Sequence, residues 1–248
     1  MSNRLPTGLV LACALLALAT IPAAAHAECC IVPDNGFGTA TLPPTSTGAT
    51  CVYLGTMEIT DGLPVGTTIQ IAASIGSFIN VVETPGGGLG GTTSNWDGLC
   101  TMQMTGTGAL LGFSRSITIP LVGPSNNMME WAPRMAFAPV QTAAAHVYRL
   151  FGQNASIGDP DFDLLRIVGG TDYGHPSPGQ IQLVSTGGGW AVSGYFDLRH
   201  RIDYVGAPTG ALSGRSGSTT NQRRFEICPE NAVAVESASW SHLKAQYR

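Results

Sequence analysis

The stretch YFDLRHRIDYV, residues 195–205, decides the fold class of this chain. Every second residue is apolar or aromatic, apart from one histidine: Phe196, Leu198, His200, Ile202 and Tyr204. The residues between them are charged: Asp197, Arg199, Arg201 and Asp203. Because successive side chains of a β-strand point to opposite faces, a strand separates these two sets and a helix does not. The stretch therefore predicts a strand with one face in a core and the other in water.

The same alternation recurs along most of the chain. It predicts strands at 51–60, 67–73, 77–83, 99–106, 112–121, 141–152, 162–168, 179–185 and 215–228. Clusters of glycine, proline, asparagine and aspartate separate these segments, as in ETPGGGLGG and GHPSPG. Short strands with such turns are typical of an antiparallel sandwich or barrel. We expect an all-β protein, an antiparallel β-sandwich of Greek-key or jelly-roll type.

The two ends of the chain differ from this pattern. Residues 1–27 combine a basic residue, an apolar run and an Ala-His-Ala cleavage site, which is typical of a secretory signal peptide. We expect a secreted protein, periplasmic, cell-surface or extracellular, with one β-sandwich domain at 28–228 and no transmembrane segment in the mature chain. Residues 229–248 are predicted to be a spacer and a short helical tail, because Trp240, Leu243 and Tyr247 share one face at helical spacing.

Charge and cysteine content exclude some functions. The net charge of the 248 residues is −4 and there is no basic stripe, which argues against nucleic-acid partners. Five cysteines remain after cleavage: Cys29, Cys30, Cys51, Cys100 and Cys228. In an oxidising compartment we expect two disulfides and one free thiol. One bridge is expected between Cys51 and Cys228, which open the first and close the last predicted strand.

The segment GDPDFDLL, residues 158–165, places carboxylates at alternate positions: Asp159, Asp161 and Asp163. Calcium takes six to eight oxygen ligands, so these three residues are candidate Ca²⁺ ligands. The positions that an EF-hand loop requires for glycine and glutamate are Leu164 and Gly170, so the segment is not an EF-hand. The alternative interpretation is a turn at Asp159-Pro160 that leads into a strand.

Three further residues are candidates for ligand binding. Trp96 and Trp131 lie in segments with asparagine or acidic neighbours, where an indole can stack on a sugar. His175, in YGHPSPG, is on a predicted loop. The alternative for the tryptophans is ordinary core packing. No G-x-S-x-G motif is present, and GGGLGG (86–91) lacks the helix that a dinucleotide site needs, so no catalytic residue is assigned and GGGLGG is predicted to be a hairpin loop.

The chain also resembles known sequences in two places. GDPDFDLLRIVGGTDYGHPSPGQIQL and YFDLRHRIDYVGAP resemble an uncharacterised family of secreted bacterial proteins, and GLPVGTTIQI and VVETPGGGLGGT do so more faintly. That resemblance implies one exported β-rich domain and transfers no catalytic residue. The ending SWSHLKAQYR resembles C-terminal tails of secreted proteins from some environmental bacteria, which implies a sorting or anchoring role for the tail.

These observations lead to two functional hypotheses. The first is an exported, non-catalytic structural or binding protein of the cell envelope or extracellular space, whose partner is a glycan or another envelope component. The second is a secreted hydrolase that acts on a glycan or an ester and uses Asp161, Asp163 and His175. A shared cleft with these three side chains would favour the hydrolase.

Overall fold

The structure, a computed structural model, describes residues 30–45, 51–154 and 159–227. Within these ranges it contains eleven β-strands and two short 3-10 turns, Gly108–Leu110 and Thr171–Tyr173. The strands are β1 (Cys30–Val32), β2 (Tyr53–Ile59), β3 (Ile69–Pro85), β4 (Thr92–Gly106), β5 (Ser114–Leu121), β6 (Asn127–Trp131), β7 (Val140–Gln153), β8 (Phe162–Gly169), β9 (Ser177–Thr186), β10 (Gly189–Gly206) and β11 (Ser216–Ile227). The predicted signal peptide and the predicted helical tail lie outside the described residues.

All eleven strands form one antiparallel sheet that closes on itself. Neighbouring strands are hydrogen-bonded in the order β10, β11, β2, β3, β4, β6 and β7. Both β8 and β9 then pair with β7 on one side and with β10 on the other. β5 pairs with β4, and β1 pairs with β10. The all-β, antiparallel prediction is confirmed. The finer expectation of a two-sheet sandwich is not, because the hydrogen bonds continue around a single ring.

The core lies inside this closed sheet. All five alternate residues from Phe196 to Tyr204 of β10 are buried, as their spacing predicts. Tyr53 lies between two aromatic neighbours, with ring centroids 6.1 Å from Phe78 and 5.2 Å from Phe196. The segment before β2 contributes to the same core through Ala40 and Leu42, which are fully buried. The segment that precedes β2 is therefore part of the hydrophobic core.

Strand β3 spans two segments that the sequence pattern predicts as separate strands. The predicted strands 67–73 and 77–83 form one continuous strand paired with β4, with register shifts on both sides of Ile79. Ser77 and Asn80 have φ values of 52° and 54°, in the left-handed region. These irregularities change which residues face the core, so the period-two pattern breaks although the strand does not. β1 and β6 were not predicted, because three and five residues are too few to establish an alternation.

The expected Cys51–Cys228 disulfide is wrong: Cys51 is bonded to Cys30, with Cα atoms 4.6 Å apart. β2 is the neighbour of β11, and β1 lies along β10 next to the end of β11. Cys51, two residues before the start of β2, therefore comes beside β1. Cys228 lies outside the described residues, and the one free cysteine among those described is Cys100, which is buried.

Candidate functional site

Residues 159–162, within the GDPDFDLL segment, form a turn that Asp159 organises. Its Oδ1 accepts the backbone N–H groups of Asp161 at 3.0 Å and Phe162 at 3.1 Å. Its Oδ2 accepts a hydrogen bond from the Arg115 guanidinium at 2.7 Å. Burial alone would raise the pKa of Asp159, but these N–H groups and Arg115 outweigh it and hold the pKa below its ordinary value. Asp159 is therefore an ionised carboxylate whose lone pairs are already engaged.

The other two aspartates of this segment differ in their contacts. Asp161 accepts the backbone N–H of Ala211 at 3.2 Å and lies 3.7 Å from Nε of Arg115, whereas Asp163 is exposed to solvent. Across the described ranges, no group of three or more histidine, cysteine, aspartate or glutamate side chains is placed to hold a metal ion. The geometry favours the turn. The calcium site stays a prediction for the melting experiment given below.

The two candidate tryptophans are core residues. Trp131 is fully buried, and its Nε1 donates a hydrogen bond of 2.8 Å to Oγ of buried Ser94. Trp96 is also buried and packs edge-on against Phe78, with ring centroids 5.0 Å apart. Both indoles are therefore unavailable to a ligand at the surface of this structure. Their positions agree with the alternative interpretation, in which both tryptophans pack in the core.

His175 is half-buried beside the short turn that separates β8 from β9. Its backbone N–H donates to the Gly170 carbonyl at 2.9 Å. Burial lowers the pKa of its imidazole, and the nearby charges of Arg199 and Arg201 lower it further. No hydrogen bond or ion pair recorded for the described residues joins His175 to Asp161 or Asp163, so the three residues of the hydrolase hypothesis do not form a linked set.

A buried carboxylate that the sequence did not single out lies on the outer face of the sheet. Glu130 of β6 has only 6% of its side chain exposed, and its Oε2 accepts the Gly88 N–H at 2.7 Å. The same oxygen lies 3.2 Å from Nε2 of His146, its cross-strand neighbour on β7. Gly88 belongs to the GGGLGG loop, a hairpin loop between β3 and β4 as predicted. Glu130 therefore holds this loop against the sheet. Its contact with His146 follows only from the pairing register of β6 and β7.

A second unpredicted feature is an exposed apolar surface at one end of the sheet. Three of its residues lie along one cross-strand row with Ala191, since Ile31 pairs with Ala191, Ala191 with Val184, and Val184 with Val140. Two phenylalanines on the neighbouring loops are 73% and 79% exposed. We call these residues the apolar end surface: Ile31, Phe37, Phe137, Val140 and Val184.

Both phenylalanines of the apolar end surface are held in place by polar contacts of the backbone. Oδ1 of Asp34 accepts the N–H groups of Gly36 at 2.7 Å and Gly38 at 3.2 Å, which forms the turn that carries Phe37. Oδ2 of Asp34 accepts the Trp190 indole N–H at 2.8 Å. That indole bond, together with the backbone N–H groups, lowers the pKa of Asp34. The N–H of Phe137 donates to the Gly38 carbonyl at 2.8 Å, so the two loops are joined.

A small cavity lies among core side chains inside the closed sheet. The cavity found there has a volume of about 10 Å³ and is lined by apolar side chains and Tyr53. That volume is at the lower limit for a single water molecule.

Comparisons of the chain with protein-family models, curated proteins and solved structures give no match. Among the described residues, no helix is long and apolar enough to cross a membrane. The candidate sites are therefore judged from their own geometry.

Proposed function

We propose that this protein is an exported, non-catalytic binding or structural protein of the cell envelope or extracellular space. Its contact surface is the apolar end surface, and its partner is another protein with an apolar face. The observation that carries the proposal is Phe137, which is 79% exposed and has a φ of 63°.

Phe137 combines two features that cost free energy. A bulky side chain in the left-handed region of φ is strained, at roughly 1–3 kcal/mol. An exposed aromatic ring forgoes the stabilisation that burial of a phenylalanine provides, roughly 1.5–3 kcal/mol. Glycine would relieve the strain and a polar residue would lose nothing by exposure. A phenylalanine fixed in this position is expected when its ring serves a contact outside the chain.

The surroundings of Phe137 indicate the chemistry of the partner. All five side chains of the apolar end surface are aliphatic or aromatic, and they lie on β1, β9, the start of β7 and two loops. Exposed apolar patches on soluble proteins are typical of protein contacts. A glycan would need polar side chains arranged around a stacking ring, and the two tryptophans that suggested a glycan lie in the core. A protein partner therefore fits this surface better than a sugar does.

Two other features support a non-catalytic role in an oxidising compartment. The Cys30–Cys51 disulfide fits export, because disulfides persist outside the cytosol. One acidic residue of the hydrolase hypothesis has structural contacts, since Asp161 accepts the backbone N–H of Ala211 and lies beside Arg115. These contacts explain Asp161 without a substrate.

The test compares two surface variants with one matched control. Phe137→Gly removes the ring and the strained side chain, and Phe37→Ser removes the second ring. Leu111→Ser is the control, because Leu111 is 86% exposed but lies on the loop between β4 and β5. Each immobilised protein is incubated with envelope and extracellular proteins of the host, and the retained partner is then purified and titrated by calorimetry.

We expect the wild type and Leu111→Ser to bind the purified partner equally, with a negative heat-capacity change from apolar burial. Both phenylalanine variants should bind at least about tenfold more weakly, which corresponds to about 1.4 kcal/mol. Equal binding by all four proteins would overturn the proposal. So would turnover of a glycan or ester by the purified protein that Asp161→Asn or His175→Ala abolishes, because that result supports the hydrolase.

A further inference from the structure

Two arginines, Arg199 and Arg201, lie next to each other on the outer face of β10. They alternate with buried residues of the strand, so both side chains point away from the core, and strand geometry separates them by about 7 Å. Their cross-strand neighbours on β11 are neutral and exposed, since Arg199 pairs with Gln222 and Arg201 with Thr220. We call these four residues the arginine surface.

The carboxylate two residues beyond Arg201 holds this arginine but does not neutralise it fully. Oδ1 of Asp203 lies 3.1 Å from Nε of Arg201, and Oδ2 accepts a hydrogen bond of 2.8 Å from Nη2 of Arg166 on β8. Burial raises the pKa of Asp203, but hydrogen bonds from Ser218 and Arg166 and the charge of Arg201 outweigh it and hold the pKa below its ordinary value. One ionised carboxylate is therefore shared between two guanidinium groups. No hydrogen bond among the described residues engages the two Nη groups of Arg201.

The carboxylate on the other side of the arginine surface is also engaged elsewhere. The two oxygens of Asp197 accept hydrogen bonds of 2.8 and 3.0 Å from Nε and Nη2 of Arg224. Within the described part of the chain, no ion pair joins Arg199 to a carboxylate. Two aspartates of β10 thus face four arginines, which leaves two positive charges uncompensated: Arg166, Arg199, Arg201 and Arg224.

The backbone of Arg199 is fixed by a buried hydroxyl. Oγ of Ser177 accepts the N–H of Arg199 at 3.0 Å and donates to its carbonyl at 3.2 Å. This contact lies where β10 changes neighbours, since β9 pairs with it as far as Ser193 and β8 pairs with it from His200 onward. The spacing of Arg199 and Arg201 is therefore set by the sheet before any ligand arrives, which lowers the entropic cost of binding.

We propose that the arginine surface binds an extended acidic protein segment with carboxylates at alternate positions. Alternate side chains of an extended chain share one face and are also about 7 Å apart, so two such carboxylates match Arg199 and Arg201. Each guanidinium donates two parallel N–H bonds to one carboxylate, and Gln222 and Thr220 offer hydrogen bonds to the backbone of the segment. A long polyanion fits less well, because the chain has a net charge of −4.

This site is separate from the apolar end surface. Arg199 lies eight residues along β10 from Ala191, whose cross-strand neighbours belong to the apolar end surface. Phe137→Gly should therefore bind an acidic segment as the wild type does. Failure of this inference would leave the proposed function untouched, and the reverse also holds.

The test is an NMR titration of the purified protein with the peptide acetyl-Thr-Glu-Thr-Glu-Thr-amide. The same peptide with glutamine in place of glutamate should not bind, and added salt should weaken the binding of the acidic peptide. Arg199→Gln and Arg201→Gln should each weaken it at least about tenfold, because each loses a pair of charge-assisted hydrogen bonds. Arg223→Gln is the matched control: it removes the same charge, but Arg223 pairs with buried Leu198 and so lies on the other face of β11. Its affinity should equal that of the wild type.

Three results would overturn the proposal. The first is no binding by the wild type, and the second is an equal loss of affinity in Arg223→Gln, which would indicate attraction by net charge alone. The third comes from titration with inorganic phosphate. Binding of phosphate as tight as that of the peptide, with the same dependence on Arg199 and Arg201, would show a site for free oxyanions and not for a protein segment.

His175 provides a measurement that needs no variant. Burial lowers the pKa of its imidazole, and the charges of Arg199 and Arg201 lower it further. Bound carboxylates compensate these charges, so the pKa of His175 measured by NMR should rise when the acidic peptide is present. An unchanged pKa at saturating peptide would contradict the inference even if an arginine variant does not fold.

Discussion

The hydrogen bond between Trp131 and Ser94 should make Trp131 the more costly of the two buried tryptophans to replace. Trp131→Phe keeps an aromatic ring in the core but removes the indole N–H that Ser94 accepts at 2.8 Å. Trp96→Phe is the matched control, since Trp96 is equally buried but its Nε1 has no hydrogen-bond partner among the described residues. The two variants make the same chemical change in different polar environments.

The expected costs follow from volume and hydrogen bonding. Replacing indole by phenyl loses two ring carbons, which is roughly 1.5 kcal/mol at about 0.8 kcal/mol per carbon group. The void adds roughly 1 kcal/mol, for about 40 Å³ at about 24 cal/mol per Å³. In Trp131→Phe the Ser94 hydroxyl is left unsatisfied in the core, which adds roughly 1–3 kcal/mol. We therefore expect a loss of about 4 kcal/mol in the free energy of unfolding.

The control should cost much less. Trp96→Phe loses the same volume, but it also removes a buried N–H that has no partner, and this relief is worth roughly 1–3 kcal/mol. We expect a net loss of about 1 kcal/mol or less. The difference between the two variants should therefore be at least about 2 kcal/mol.

The assay is urea unfolding of each purified variant, followed by far-ultraviolet circular dichroism because the tryptophan fluorescence itself changes. Ser94→Ala and the double variant complete a double-mutant cycle, in which the coupling between Ser94 and Trp131 should be about 1 kcal/mol or more. Equal costs for Trp131→Phe and Trp96→Phe, or a coupling below about 0.5 kcal/mol, would refute the reasoning.

Three further predictions concern other residues. Burial lowers the pKa of His200 to about 4, so between about pH 6.5 and 4 the unfolded chain binds a proton that the folded protein does not. The free energy of unfolding of the wild type should therefore fall by about 3 kcal/mol as the pH drops through this window. Urea unfolding of His200→Leu should show a weaker dependence of stability on pH, and an unchanged dependence would contradict this prediction. Glu130→Ala should speed hydrogen exchange of the Gly88 amide, measured by NMR or mass spectrometry, whereas Glu58→Ala on β2 should not. Melting in excess EDTA and in millimolar calcium tests the calcium hypothesis. We expect the same melting temperature in both, because Arg115 already pairs with Asp159. A rise in melting temperature with calcium that Asp161→Asn abolishes would support a calcium site in this segment.

The candidate sites were less accessible to sequence reasoning than the strands were. The turn at Asp159 was one of two interpretations that the sequence left open, and the partner that favours it, Arg115, is 44 residues away. Glu130 and His146 become neighbours only through the register of β6 and β7. The apolar end surface draws residues from β1, β7, β9 and two loops, so no local pattern indicates it.

Local sequence patterns were enough to predict the class of the fold and the inward face of the strand at 195–205. Alternation in 195–205 is a local property, since the side-chain period of a strand follows from its own backbone geometry. Tertiary structure decided which strands are neighbours, that the sheet closes into one ring, and that Cys51 pairs with Cys30 and not with Cys228. These outcomes depend on hydrogen bonds and side-chain packing between residues far apart in the chain, and the period of a strand carries no information about its partner.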